Sequence, residues 1–298
     1  MNKRLGWTLA FLSSLAYSTN VHIARGAILE GMNPTTLLTG RFLLAAFLFG
    51  ITISFTSVGK AKGEQRPLDK RGFFISLATG SLNGFTLMAF YWALTRLSAS
   101  LTSMLSIGLY PLVTLLLLMI RGETLTRRNL ARLALGLVGL YFLIGPGGDV
   151  DLGGIILVVL GAAFFAVHIV SVQWFLRGYN TWMTTAVMVT AAMGIVTLMW
   201  LFTGQDTYVP GATGWVAILM QGIVATYIGR LATYGAISIL GSGQVALFAP
   251  LETLLTIFWS FLFLNETLTP LQLVGGLFIL SGTALASEKV RWRRLRPV

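Results

Sequence analysis

The chain has 298 residues, of which 55% are hydrophobic and 10% charged, with a mean hydropathy of +0.80 and a formal charge of +11. Soluble domains carry roughly 25% charged residues, and a water-facing surface built from so few would be left with aggregation-prone apolar patches. This composition excludes a water-soluble globule, and the lack of cysteine excludes disulfides, thiolate nucleophiles and Cys-ligated metals.

A helix crossing about 30 Å of hydrocarbon needs roughly 20 apolar residues. Such stretches divide the chain into ten predicted spans, near 7–27, 35–56, 72–95, 100–120, 129–145, 153–175, 182–203, 214–236, 243–264 and 270–287. The start, "MNKRLGWTLAFLSSLAYS", has the basic and apolar regions of a signal peptide. Its apolar run continues past Val21, however, and reads as an uncleaved first span containing Tyr17, Asn20 and His22. The second span contains Arg41. The third contains Gly80, Gly84, Tyr91 and Trp92, the fourth Pro111, and the sixth His168. Tyr227, Arg230 and Tyr234 fall in the eighth, and Gln244, Pro250 and Glu252 in the ninth.

The basic residues are grouped beside these spans rather than along a groove. Counted along the segments that face the cytoplasm when the amino terminus is inside, Lys and Arg number 2, 5, 4, 1, 0 and 5, or 17 of the 21. Positive residues are retained on the cytoplasmic side, so both termini are expected inside, in an inner (plasma) membrane. Asp149, Asp151 and Asp206 fall in outside connectors. No stretch interleaves aromatics with backbone-tracking charge as nucleic-acid binding requires, so the expected surroundings are the lipid bilayer and no nucleic acid.

"ETLT" stands at Glu123–Thr126 and again at Glu266–Thr269, an offset of 143 residues. The same offset carries Tyr91 onto Tyr234, Leu97 onto Leu240 and Gly139 onto Gly282. Both histidines fall in "HI" pairs, His22 in the first span and His168 in the sixth. The pattern predicts an all-α polytopic protein made of two five-helix repeats, 1–148 and 149–298. Five is odd, so the second copy enters from the opposite face and the repeats are inverted, an architecture that opens a midplane site to alternate sides.

These features resemble the EamA-type branch of the drug/metabolite transporter superfamily. The likeness lies in ten spans in two halves, an Arg in the second span within "LLTGRFLLAAFLF", and "LETLLTIFWSFLFLNETLT" in the ninth, which is similar to the family's "LEP...W...GE" run. Thr253 stands where the family often has Pro, and Asn265 where Gly usually precedes the Glu. The resemblance implies a secondary carrier, often an exporter, of small organic metabolites such as amino acids, and no cofactor.

Ionisable side chains inside the bilayer cost roughly 2.5–3.5 kcal/mol each, so they persist where they face a cavity or a partner. Arg230 and Glu252, on successive spans, are expected either to pair as a structural bridge or to face a cavity, Glu252 taking up a proton and Arg230 holding a substrate carboxylate through its planar fork. Arg41 either lines the pathway or snorkels to a surface. His22 and His168 either line the pathway or pack. Tyr17, Asn20, Tyr91, Trp92, Tyr227, Tyr234 and Gln244 supply polar and aromatic lining for a solute, against the alternative of an interfacial aromatic belt. Pro111 and Pro250 mark kinks, and Gly80 with Gly84 marks close helix packing.

No nucleotide-binding loop is present, so coupling to protons or to exchange is expected in place of ATP. Channel and receptor readings remain as alternatives. An intramembrane serine hydrolase around Ser242 is a further one, but no base is placed beside that serine by the sequence, and the expectation is that the protein is not an enzyme. Solute, direction, coupling ion and oligomeric state are not specified by these residues.

Overall fold

The computed structural model describes residues 3–56, 66–120, 127–144, 151–176, 178–203, 206–240, 245 and 248–284. They form a bundle of ten helices with no β-strand among the described residues. In order these are α1 (Lys3–Leu29), α2 (Pro34–Phe55), α3 (Lys70–Ala93), α4 (Ala99–Ile120), α5 (Arg127–Ile144), α6 (Leu152–Phe175) and α7 (Thr181–Phe202). The eighth, α8, begins as Gly211–Leu219, continues as a π-helix over Met220–Ile228 and finishes as Gly229–Leu240. Next come α9 (Ala249–Leu264) and α10 (Pro270–Ala284). Helices α2, α3, α6, α7 and α8 each contain a stretch long and apolar enough to cross a membrane.

Local chemistry explains where several helices begin. Asn33, Asp69, Asp151 and Asn180 each turn a side-chain oxygen onto a free amide of the first turn, at 2.9 Å (Thr35), 2.6 Å (Gly72), 2.6 Å (Gly154) and 2.9 Å (Trp182). Pro34 then takes the first position of α2, where its missing N–H costs nothing. Thr269 and Gln272 bond reciprocally, 3.0 and 3.2 Å, as a capping box at the start of α10. Helix α9 ends at Asn265 in the left-handed conformation, φ 51° and ψ 28°. Glycine is the usual residue at such a helix end because it has no Cβ to clash, and Asn is the next most tolerated. Asn265 therefore substitutes for glycine without changing the turn.

The polarity is that of a membrane protein. Phe55, Phe202, Phe47 and Phe263 point outward at 85%, 82%, 64% and 62% exposure, whereas Asn20, His22, Arg41, Asn83, His168, Gln221 and Arg230 are buried. Hydrocarbon replaces water around the first group, and the second finds its partners inside the bundle.

Packing follows small residues. A Cβ on Gly84 would lie within 3.3 Å of the Ala192 backbone, and Gly80 meets the Met188 backbone, so the "GSLNG" stretch lets α3 lie directly on α7. Gly139 and Gly275 perform the same service between α5 and α10, which run antiparallel. Helix α6 runs antiparallel to α3, with Gly154 against Leu97, Gly161 against Ala89 and His168 against Thr79. Helix α1 runs antiparallel to α8, with Gly6 against Leu240, Leu9 against Gly235 and Tyr17 against Gly229. Helix α9 lies on α1 in parallel, with Trp7 near Phe248, Ser18 near Thr256 and His22 near Phe263. Helix α1 thus packs against both α8 and α9.

The second "ETLT" has a structural task. The Glu266 carboxylate accepts hydrogen bonds from Ala99 N (2.9 Å), Ser100 N (3.0 Å) and Ser100 Oγ (3.0 Å), capping α4 from the far half of the chain. The first copy, Glu123–Thr126, lies outside the described residues.

Candidate functional site

Four helices meet at one buried arginine. Arg41 on α2 is 2% exposed. It donates from Nε to Thr226 Oγ1 on α8, and from Nη1 to Asn20 Oδ1 on α1 (3.1 Å) and to the Tyr91 hydroxyl on α3. Tyr91, fully buried, has one phenolic proton to give, shared between Gln221 Oε1 at 2.7 Å and Asn20 Oδ1 at 3.1 Å. Gln221 Nε2 donates to the Asn20 carbonyl at 3.4 Å.

The π-helix makes this arrangement possible. Gln221 and Thr226 are five residues apart, and in an α-helix at 3.6 residues per turn that separation swings side chains about 140° around the axis. Where hydrogen bonds close from i to i+5, the turn widens and residues five apart come to nearly the same side. Both groups then face the Arg41–Tyr91 pair.

A second arginine lies close by. Arg230 on α8, 8% exposed, donates from Nη2 to Asn83 Oδ1 on α3. Both guanidiniums lie against the Phe42 ring, at 5.6 Å for Arg41 and 6.0 Å for Arg230, and Arg41 also stands 5.8 Å from the Tyr91 ring. The expected pairing of Arg230 with Glu252 is not formed. The ion pair among the described residues is Arg96–Asp151, 3.3 Å apart at the surface. The reason is positional: α1 is packed against both α8 and α9, while α8 and α9 make little contact with each other. Glu252 lies on the α9 face that carries Thr256 and Trp259 toward Ser18 of α1, and its carboxyl group has neither cation nor donor beside it among the described residues.

The other expected residues are distributed around this centre. His168 on α6 is 2% exposed, with Nδ1 2.8 Å from the Thr79 carbonyl. A carbonyl can only accept, so Nδ1 carries the hydrogen and Nε2 keeps a lone pair. Arg230 is close enough to act on this ring electrostatically. His22 is stacked on Phe263 at 5.5 Å and flanked by Trp259 at 6.1 Å, as His168 is stacked on Phe165 at 6.1 Å. The two histidines are thus not brought together. Tyr17 is half-buried, 3.4 Å from Thr233 Oγ1. Tyr227 bonds Thr52 through its hydroxyl and sets its ring edge-on to Phe49 at 4.9 Å. Trp92 is half-buried against the apolar core. The Tyr234 side chain and Gln244 lie outside the described residues.

Sequence reasoning missed Asn83, Gln221 and Thr226. A lone amide in "ILMQGIV" and another in "GSLNG" were the available signals, since an amide in an apolar span needs an internal partner.

The chain is similar to known proteins along most of its length. Residues 4–145 and 152–288 each match the EamA-like transporter family. Two proteins of Archaeoglobus fulgidus, each named "uncharacterized transporter", are relatives. One is 22% identical over 70% of this chain and 75% of its own length, the other 25% identical over 88% and 79%. A solved crystal structure superimposes with a TM-score of 0.65 at 18% identity, covering 95% of this chain and 96% of that one, which speaks for the fold.

Proposed function

The chain belongs to the EamA-like transporter family, a multi-pass membrane transporter family, and from that premise we propose that it is a secondary carrier, working as an exporter, for small organic metabolites bearing a carboxylate, amino acids among them. The observation that carries this reading is the Arg41–Tyr91–Asn20–Gln221–Thr226 cluster with Arg230 beside it, where α1, α2, α3 and α8 converge. Arginine suits the task because its planar fork meets a carboxylate through two parallel hydrogen bonds.

Alternating access between two inverted five-helix halves, 1–148 and 149–298, is the proposed mechanism. Two kinds of observation support it. The family matches twice, once in each half. The helix contacts also come in matching sets, with α3 on α6 and α8 on α1, α4 on α6 and α9 on α1, and α5 on α10. Halves with near-equivalent internal packing can exchange conformations at little net cost. Glu252, a half-buried carboxyl group with no partner among the described residues, is the proposed carrier of a coupling proton, and counter-exchange of solute is the other proposed source of drive. The distribution of Lys and Arg supports an orientation with both termini on the cytoplasmic side, and an inner membrane is the proposed location.

The test is a panel of metabolites presented to purified protein in liposomes, with and without an imposed pH gradient. Saturable uptake or counterflow of a carboxylate-bearing solute is expected, reduced at least tenfold by Arg230→Gln, in line with losing a charge-assisted bond worth about 1.5–3 kcal/mol. Conductance far above carrier turnover, or no flux with any solute, would remove the carrier reading.

A further inference from the structure

Arg41 and Arg230 are not balanced by acid. Neither lies within ion-pair distance of a carboxylate among the described residues. Arg41 and Arg230 lie against the same Phe42 ring, at 5.6 and 6.0 Å, so the two like charges repel each other. Among the described residues every hydrogen-bond partner of the two guanidiniums is neutral: Thr226, Asn20 and Tyr91 for the first, Asn83 for the second.

Donors remain over. Among the described residues, Arg41 Nη2 and Arg230 Nε and Nη1 carry no hydrogen bond. The acceptors nearby are each engaged at least once. Asn20 Oδ1 serves Arg41 and Tyr91, Gln221 Oε1 serves Tyr91, and Asn83 Oδ1 serves Arg230. The site therefore offers two positive charges and spare N–H groups, with no carboxylate at ion-pair distance among the described residues to receive an ammonium group.

We infer that the solute is a net organic anion, whose acid oxygens bridge the spare donors of Arg41 and Arg230 across the Phe42 ring, and that neutral zwitterions and cations are discriminated against. The inference rests on the carrier reading and narrows its substrate class. Two arginines held against one ring while repelling each other are a poor arrangement for an empty site and a good one for a ligand with two negative groups, or with one multiply charged group such as phosphate. The Arg41 network fixes one guanidinium from four helices, and the single bond to Asn83 leaves the other freer to adjust to the length of the anion.

The experiment separates binding from transport. The full chain in neutral detergent is titrated with succinate, glutamate and inorganic phosphate, and with alanine, glutamine and putrescine, while thermal unfolding is followed. The same solutes are then tested in counterflow in liposomes. Succinate, glutamate or phosphate is expected to raise the unfolding midpoint at concentrations at least tenfold lower than alanine or putrescine, and Arg230→Gln to weaken that binding roughly tenfold or more, as the loss of a charge-assisted contact does. The carboxylate and phosphate arms distinguish the two kinds of anion. Equal or better protection by alanine, glutamine or putrescine overturns the assignment and leaves the carrier reading intact, as does protection by none of the six alongside flux of another solute. Anion binding without flux upholds the assignment and removes the carrier reading. Should Arg230→Gln fail to fold, the rank order of the six solutes on the unaltered protein decides the question alone.

Discussion

Replacing Tyr91 by Phe removes one oxygen from the centre of the bundle while keeping the ring. Tyr91 is fully buried, so no water is at hand to replace the hydroxyl. Its loss leaves Gln221 Oε1 without the 2.7 Å bond, and orphaning a buried acceptor costs about 1–3 kcal/mol. Arg41 Nη1 also loses a partner but keeps Asn20 at 3.1 Å, so that side of the network loses less. Interhelical hydrogen bonds inside membranes have averaged about 0.6 kcal/mol and reached about 1.7. The charge on Arg41 and the shared geometry place the Tyr91→Phe loss near 2 kcal/mol, roughly a thirtyfold change in the unfolding equilibrium. The assay is reversible unfolding in mixed detergent micelles, run as a cycle with Gln221→Leu. The double variant is expected to recover about 1 kcal/mol relative to the sum of the single losses, because Leu removes the acceptor that Phe strands. Additive losses, with coupling below about 0.3 kcal/mol, would refute the hydrogen bond as the source of the effect.

Asn265→Gly should leave stability unchanged or raise it slightly, whereas Asn265→Val should cost about 1–2 kcal/mol by putting a branched side chain at φ 51°, both read by the same micelle assay. At the α3 terminus, the Asp69 carboxylate accepts from Gly72 N–H and, at 3.0 Å, from the Tyr179 hydroxyl, and these bonds hold it below the ordinary carboxylate range. A depressed folded value means that its contribution is complete above the unfolded value near about 3.9 and is lost as pH falls through the lower folded value. Asp69→Asn should therefore flatten that acid limb of the stability profile, and an unchanged profile would count against the cap. Gly139→Val should abolish stable expression, since its branches would meet the Gly275 carbonyl, already 2.8 Å from a bare Cβ. Because the chain has no cysteine, Thr126→Cys and Thr269→Cys can each be labelled with an impermeant thiol reagent, and opposite-side labelling is expected; same-side labelling would contradict the inversion.

Charge inside an apolar run demands an explanation, so Arg41 and Arg230 stood out in the sequence, and Asn20 and Tyr91 were recognisable as polar lining, with snorkelling to a surface left open for Arg41. What it could not convey was adjacency. Arg230 and Glu252 lie on helices that follow one another, yet α1 packs against both, and sequence order does not report such an insertion. Nor could spacing reveal that Gln221 and Thr226 act together, because their common face exists only where the helix widens into its π turns. The two "HI" pairs illustrate the reverse case. Similar words in the two halves both acquired aromatic neighbours, Phe263 for His22 and Phe165 for His168, but on different helix contacts, α9 for the first and the Thr79 carbonyl of α3 for the second. Asn265 was visible as a departure from the family run, but its harmlessness depends on a backbone angle that only three dimensions supply.

Glu266 follows α9 in the chain but grips the first turn of α4, so a single carboxylate rivets together residues 166 and 167 positions apart. No rearrangement that parts those two helix ends can proceed while its three bonds persist. That makes one side chain a fastener between the end of α9 and the start of α4, across most of the length of the chain.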